Sequence, residues 1–328
     1  MNILITSAGR RVNLIKFFKE ALQNLNLDGE VYAINNDPNS ASLYEADKAR
    51  TVPKVTADNY LDILLELCEE NEIDIVLSLI DPELPELAEN REKFTERGIE
   101  VIVSDSEAIE TCFDKYKMAK YFAEINVPHA KTSLHKKNVF EKLKTGKISY
   151  PLMVKPIRGS ASKGLYKINN REELDSSPVD EEDFLVQEFI KGDEHGVDAF
   201  VDERGELKSV FLKRKISMRA GETDKAVSLI DEDLFKQVEK IVSELNFYGP
   251  IDIDCFRNEN GDYIFSEINP RFGGGYPLAH KAGMNFIEKI IRMVNGEKLK
   301  KDIGDYEEGI FMFKYNGLQI VDESEIIE

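Results

Sequence analysis

The tightest constraint on this chain is the stretch Pro250-Ile-Asp-Ile-Asp-Cys-Phe-Arg-Asn-Glu-Asn-Gly-Asp-Tyr-Ile-Phe-Ser-Glu-Ile-Asn-Pro270. Asn260-Gly261 is a two-residue hairpin signal, and it sets a register in which Asp254 faces Glu267 and Asp252 faces Asn269. On a period of two, Asp252, Asp254 and Phe256 share a face with Phe265, Glu267 and Asn269, while Ile251, Ile253, Ile264 and Ile268 take the other. Carboxylates opposed across a ladder, with Cβ atoms ~5 Å apart, destabilise it, and burial adds a desolvation cost. A cation must compensate. Two carboxylates and an amide suit a hard ion, Mg²⁺ above all or Mn²⁺, which shares its remaining sites with water and substrate phosphates. The alternative is a solvated face on which Arg271 or a lysine pairs the acids.

Two further segments break their local pattern. Lys155 stands inside the apolar strand Tyr150-Pro-Leu-Met-Val-Lys-Pro156, followed by Arg158-Gly-Ser-Ala-Ser-Lys-Gly164. Small residues there let backbone N–H groups approach a polyphosphate, and Ser160, Ser162 and Lys163 add donors. The strand Leu185-Val-Gln-Glu-Phe-Ile-Lys-Gly-Asp-Glu194 ends in acids. Such a connector offers backbone groups to a base edge and a carboxylate to ribose hydroxyls, although an exposed acidic loop reads the same way.

Residues 1–105 alternate apolar strands with helical patterns, which predicts an α/β, doubly wound parallel domain. Its first turn, Thr6 to Arg11, holds a single glycine rather than a dinucleotide fingerprint. Ser7, Arg10, Asp81 and Glu83 fall at strand ends, where a substrate can be held, although Asp81 and Glu83 also suit helix caps. From Asp114 the texture becomes hairpins followed by their own helices, an α+β domain. The expected divisions are 1–105, a small subdomain over 106–185, a metal-bearing subdomain over 186–300, and a C-terminal strand and tail over 301–328.

A formal charge of −19 disfavours nucleic-acid and membrane-surface partners. Isolated Cys68, Cys112 and Cys255, and an N-terminus whose arginines follow its apolar run, fit a cytoplasmic protein.

Taken in order, the lysine strand, the small-residue loop, the acidic connector and the carboxylate hairpin resemble the ATP-grasp superfamily, and most closely one ligase module of the carbamoyl-phosphate synthase large subunit. The resemblance runs from Asp114 to about Gly275, more weakly over 1–105. It implies two subdomains clasping ATP. It assigns Lys115, Lys155 and the loop Gly159 to Gly164 to the phosphates, Glu188, Phe189 and Ile190 to the adenine, and Glu194 to the ribose. Asp254, Glu267 and Asn269 match the magnesium ligands, and Arg271 matches the arginine that stabilises the transferring phosphoryl group. Arg219, in a loop where the synthase pattern differs, joins it as a catalytic candidate. The implied reaction joins a small carboxylate to an amine (or thiol) through an acyl phosphate, in a possible homodimer. The rivals are a single module of a split synthase that needs a partner chain, a nucleotide sensor, and a nicotinamide oxidoreductase, which the missing fingerprint disfavours.

Overall fold

The computed structural model describes residues 1–159, 164–180 and 183–327. Strands β1 (Asn2–Thr6), β2 (Val31–Asn35), β3 (Lys48–Thr51), β4 (Ile73–Ser78) and β5 (Glu100–Val101) form a parallel sheet in the order β3-β2-β1-β4-β5. β1, β2 and β4 are almost wholly buried, as strands covered by helices on both faces must be. Strand order reverses between β1 and β4, so the loops that follow these two strands flank a crevice.

Helix Val12–Asn24 buries Leu14, Ile15, Phe17, Phe18, Ala21 and Leu22, an apolar stripe at helical spacing. That stripe shares one core with Phe272, Tyr276, Phe286 and Ile290 near the other end of the chain, which fuses the first domain to the last.

The second domain holds two antiparallel sheets. The small one comprises β6 (Thr132–Ser133), β7 (Leu152–Pro156), β8 (Tyr166–Ile168) and β9 (Phe184–Glu188), in the order β6-β9-β7-β8. The large one comprises β10 (Gly192–Val201), β11 (Leu207–Arg219), β12 (Glu222–Leu229), β13 (Gly249–Asn258), β14 (Tyr263–Asn269) and β15 (Phe311–Phe313), in the order β14-β13-β10-β11-β12-β15. This is the expected α/β domain followed by an α+β domain.

Helix Lys115–Glu124 is capped by Asp114, whose carboxylate accepts from the Tyr116 and Lys117 N–H groups. Its buried Met118, Tyr121 and Phe122 pack with Val197 and Phe265 of the large sheet. The small lobe has a separate core of Val139, Leu152, Val154 and Val186.

The carboxylate hairpin corrects one expectation. Its turn closes with Asn258 N–H donating to the Asp262 carbonyl, and the ladder near it runs Cys255 to Phe265 and Phe256 to Ile264. A shift between Asp254 and Cys255 then restores Asp254 opposite Glu267 and Asp252 opposite Asn269. Ser266 is the extra residue of this bulge, and its hydroxyl donates to the Asp254 carbonyl at 3.1 Å. Beyond the bulge the faces exchange, so Phe265 lies in the core with Cys255 while Ile264 pairs with Phe256.

Candidate active site

A cleft of about 520 Å³ lies between the two sheets of the second domain, a size typical of small-ligand sites. On β7 the two-residue period sends Leu152 and Val154 into the small core and Met153 and Lys155 to the cleft. Burial pulls Lys155 down to about 8, against the opposing pull of Glu267.

The large sheet answers the puzzle of the opposed acids. Gly196 of β10 pairs with Asp254 on one side and Lys213 on the other, and Asp198 pairs with Asp252. Lys213 is fully buried, its ammonium bonded to Asp198 and 3.9 Å from Asp252. Lys215 Nζ lies 2.6 Å from Asp254 and 2.9 Å from Glu194. Burial works against the Lys215 charge, but Asp254, Asp252 and Glu194 together hold its pKa above the ordinary lysine range. Gly196 makes room for both stems, since a Cβ there would stand 3.0 Å from Lys215 Cε and 3.1 Å from Lys213 Cε. The glycines after Arg271 are equally constrained: a Cβ on Gly273 would come within 2.4 Å of the Asp252 carboxyl.

Arg271 reaches across to the first domain. Its Nε is 3.0 Å from Asp81 Oδ1, its Nη2 is 3.1 Å from Asp81 Oδ2, and its Nη1 is 3.7 Å from Asp252. The ammonium of Lys115 donates to the Gly159 carbonyl at 2.6 Å and lies 3.9 Å from Glu267. Gly159, Glu188, Phe189, Ile190 and Glu194 line the cleft with Asp254, Glu267, Asn269 and Arg271. The Glu188 carboxylate leans toward Lys131, at 3.9 Å. Gly164 has φ +72 at the start of the return to β8, and Ser160, Ser162 and Lys163 lie outside the described residues.

Other candidates are placed differently. Arg219 is half exposed at the β11–β12 tip, its Nε 3.1 Å from Asp224. Glu83 is fully buried and accepts from the hydroxyls of Tyr60, Ser7 and Ser78, which braces the strand-end loops. Neither Asp81 nor Glu83 caps a helix through its side chain. Arg10 is exposed, 3.9 Å from Glu222. His195 is buried edge-on to Tyr263, and His280 stacks on Phe17, where burial pulls it to about 4. Both are packing residues.

Sequence reasoning passed over Lys213 and Lys215. The available signal was their alternation in Ser209-Val-Phe-Leu-Lys-Arg-Lys215, two charges on one face of a buried strand.

The donor chemistry fits magnesium at Glu267 and Asn269, with Asp254 divided between that site and Lys215. Among the described residues no three His, Cys, Asp or Glu side chains form a metal site by themselves, so water and nucleotide phosphates would complete the shell.

A two-sheet cleft with these cations and acids defines an ATP-grasp protein. Residues 112–275 match the ATP-grasp domain model and residues 3–102 the PylC-like N-terminal domain, and the chain belongs to the ATP-grasp family. The biotin carboxylase domain of Hydrogenobacter thermophilus 2-oxoglutarate carboxylase, solved with MgADP, ADP and bicarbonate, superposes with a TM-score of 0.74 at 20% identity, covering 94% of this chain and 73% of that one. Staphylococcus aureus N5-carboxyaminoimidazole synthetase gives 0.72 at 17% identity, covering 92% and 78%. The arginine-specific carbamoyl phosphate synthase large chain of Bacillus subtilis is 22% identical over 287 residues, 83% of this chain but 27% of that relative. The chain therefore spans about a quarter of the length of that relative. No helix among the described residues is long and apolar enough to cross a membrane.

Proposed function

We propose that this protein is an ADP-forming ligase that activates a small carboxylic acid as its acyl phosphate and transfers the acyl group to an amine. The reading rests on Arg271, which meets Asp81 of the first domain and Asp252 of the second at the end of the nucleotide cleft. A guanidinium holding a carboxylate there is placed to hold an acid substrate beside the γ-phosphate. A sensor needs no such group.

In the first step a carboxylate oxygen attacks the γ-phosphorus and ADP leaves. In the second the amine attacks the acyl carbon, phosphate leaves and the nitrogen gives up a proton. Lys155 and Lys115 hold phosphate oxygens, and Arg271 offers a planar fork to the charge that develops between acid and phosphate. Mg²⁺ at Glu267 and Asn269 supplies charge neutralisation of the phosphates when bound. Exclusion of water by the small lobe protects the acyl phosphate.

The test is phosphate release from Mg²⁺-ATP against pools of small acids, with hydroxylamine as the trapping amine. A hydroxamate is expected with any productive acid, and its absence alongside ADP formation would overturn the reading. A second reading, one module of a split synthase, is favoured by the partial span of the Bacillus subtilis relative. It requires turnover to appear when a partner chain is added. A cytoplasmic location and a homodimer belong to the same proposal, the latter checked by sedimentation.

A further inference from the structure

Beyond Arg271, at the end of the cleft, a single carboxylate gathers several cations. Three cations converge on Glu222 at the start of β12: Lys314 Nζ at 3.0 Å, Arg11 Nε at 3.1 Å and Arg10 at 3.9 Å. The neighbouring acid, Asp224, is engaged by Arg219, while Asp81 and Asp252 are engaged by Arg271. Five cations thus meet four carboxylates, and three of the five share Glu222 alone, in a chain whose overall charge is −19.

Helix Val12–Asn24 begins at Arg11 with no side-chain cap and no acid in its first turn, so its free N–H groups add to the positive potential. Burial pulls the Arg11 guanidinium and the Lys314 ammonium below their ordinary ranges, Glu222 notwithstanding. Arg11 and Glu222 line the same cleft as Arg271 and Lys155. Arg11 and Lys314, both partly buried, share the one carboxylate of Glu222, an arrangement that is costly to a protein that never meets an anion there, and a guanidinium fork matches carboxylate and phosphate geometry.

Resting on the ligase reading, we infer that the acid substrate is a dianion: its reacting carboxylate meets Arg271, and a second anionic group, carboxylate or phosphate, is bound by Arg10, Arg11 and Lys314. Glu222 gathers these cations from distant segments so that the second group meets them already assembled.

Acids that differ by that one group provide the test: succinate against butyrate, glutarate against valerate, and 3-phosphoglycerate against glycerate. Each is measured by equilibrium binding to the Mg²⁺-ADP complex and by phosphate release from Mg²⁺-ATP. A charge-assisted contact predicts ~10-fold tighter binding of at least one dianion than of its partner. Arg11→Gln should bring that ratio to about one and Arg11→Lys should restore part of it. Arg10 is exposed, so Arg10→Gln lowers the ratio without threatening the fold. Equal binding within every pair, or a preference that survives both glutamine variants, would overturn the inference. Arg11-dependent preference without phosphate release from any acid would leave the site standing and overturn the ligase reading. Phosphate release driven equally by the monoacids would do the reverse. The phosphoglycerate arm distinguishes a phosphate from a second carboxylate.

Discussion

The two walls of the cleft manage charge in opposite ways. On the large sheet, Lys213 sits between Asp198 and Asp252, and Lys215 between Glu194 and Asp254. On the small sheet, Lys155 is 9% exposed, and among the described residues no carboxylate forms an ion pair with it. On the first wall each of these lysines lies between two carboxylates, so they serve the acids of their own sheet. The second wall holds a cation whose partner must come from outside. Burial of a charge thus means different things on the two walls: architecture on one, readiness for an anion on the other.

The comparison breaks most sharply at Lys213. Lys213→Met leaves Asp198 and Asp252 buried without their cation, which should cost ~3–5 kcal/mol of stability, read from denaturant unfolding. Adding Asp198→Asn should recover part of the loss. A single variant within ~1 kcal/mol of wild type would show that this wall is not held by its ion pairs. Gly275→Ala probes the same wall more gently. Its Cβ would come within 2.3 Å of Lys213 Cε, a buried atom with little room to move, so a loss of ~1–3 kcal/mol is expected. An unchanged melting temperature would mean that the glycine run bears no packing constraint.

The smallest effect sharpens the other wall and depends on pH. Burial lowers Lys155 from 10.5 to about 8, so the folded protein disfavours the charged form. That cost is fully present below pH 8 and fades as pH rises toward 10.5, so this group's contribution to stability improves across that window. Nucleotide affinity runs the other way, because the ammonium that binds phosphate is lost above pH 8. Titration of Mg²⁺-ADP from pH 7 to 9.5 should show weakening of up to ~10-fold per pH unit above 8, and a flat profile would remove Lys155 from phosphate binding.

Legibility in the sequence followed the same division. Lys155 and the hairpin acids stood out because each places charge within a few residues of an otherwise apolar strand. The cations that neutralise those acids lie on a strand some forty residues earlier, so nothing local announced Lys213 and Lys215 as their partners. The Asp254 to Glu267 pairing was legible, but the bulge at Ser266 was not, and it moved Phe265 and Ile264 to faces opposite those expected. β12 was missed because Glu222-Thr-Asp-Lys-Ala-Val-Ser-Leu229 is polar at its start. Its turn, Ala220-Gly221, takes φ +51 and +77, the conformation of a two-residue hairpin loop. Arg11, Glu222 and Lys314 meet through the core shared by the first and last domains, a contact that no single stretch of sequence contains.

The contrast between the walls is tested most directly by calorimetric titration of Mg²⁺-ADP into Lys155→Met, paired with its thermal melt. Methionine keeps the packing of the stem and loses the charge. The account predicts a melting temperature at or slightly above that of wild type, because a buried and unpaired charge has gone, together with ~100-fold weaker nucleotide binding, the scale of one strong charge-assisted contact. Wild-type affinity, or a collapse of the melting temperature like that expected of Lys213→Met, would contradict it.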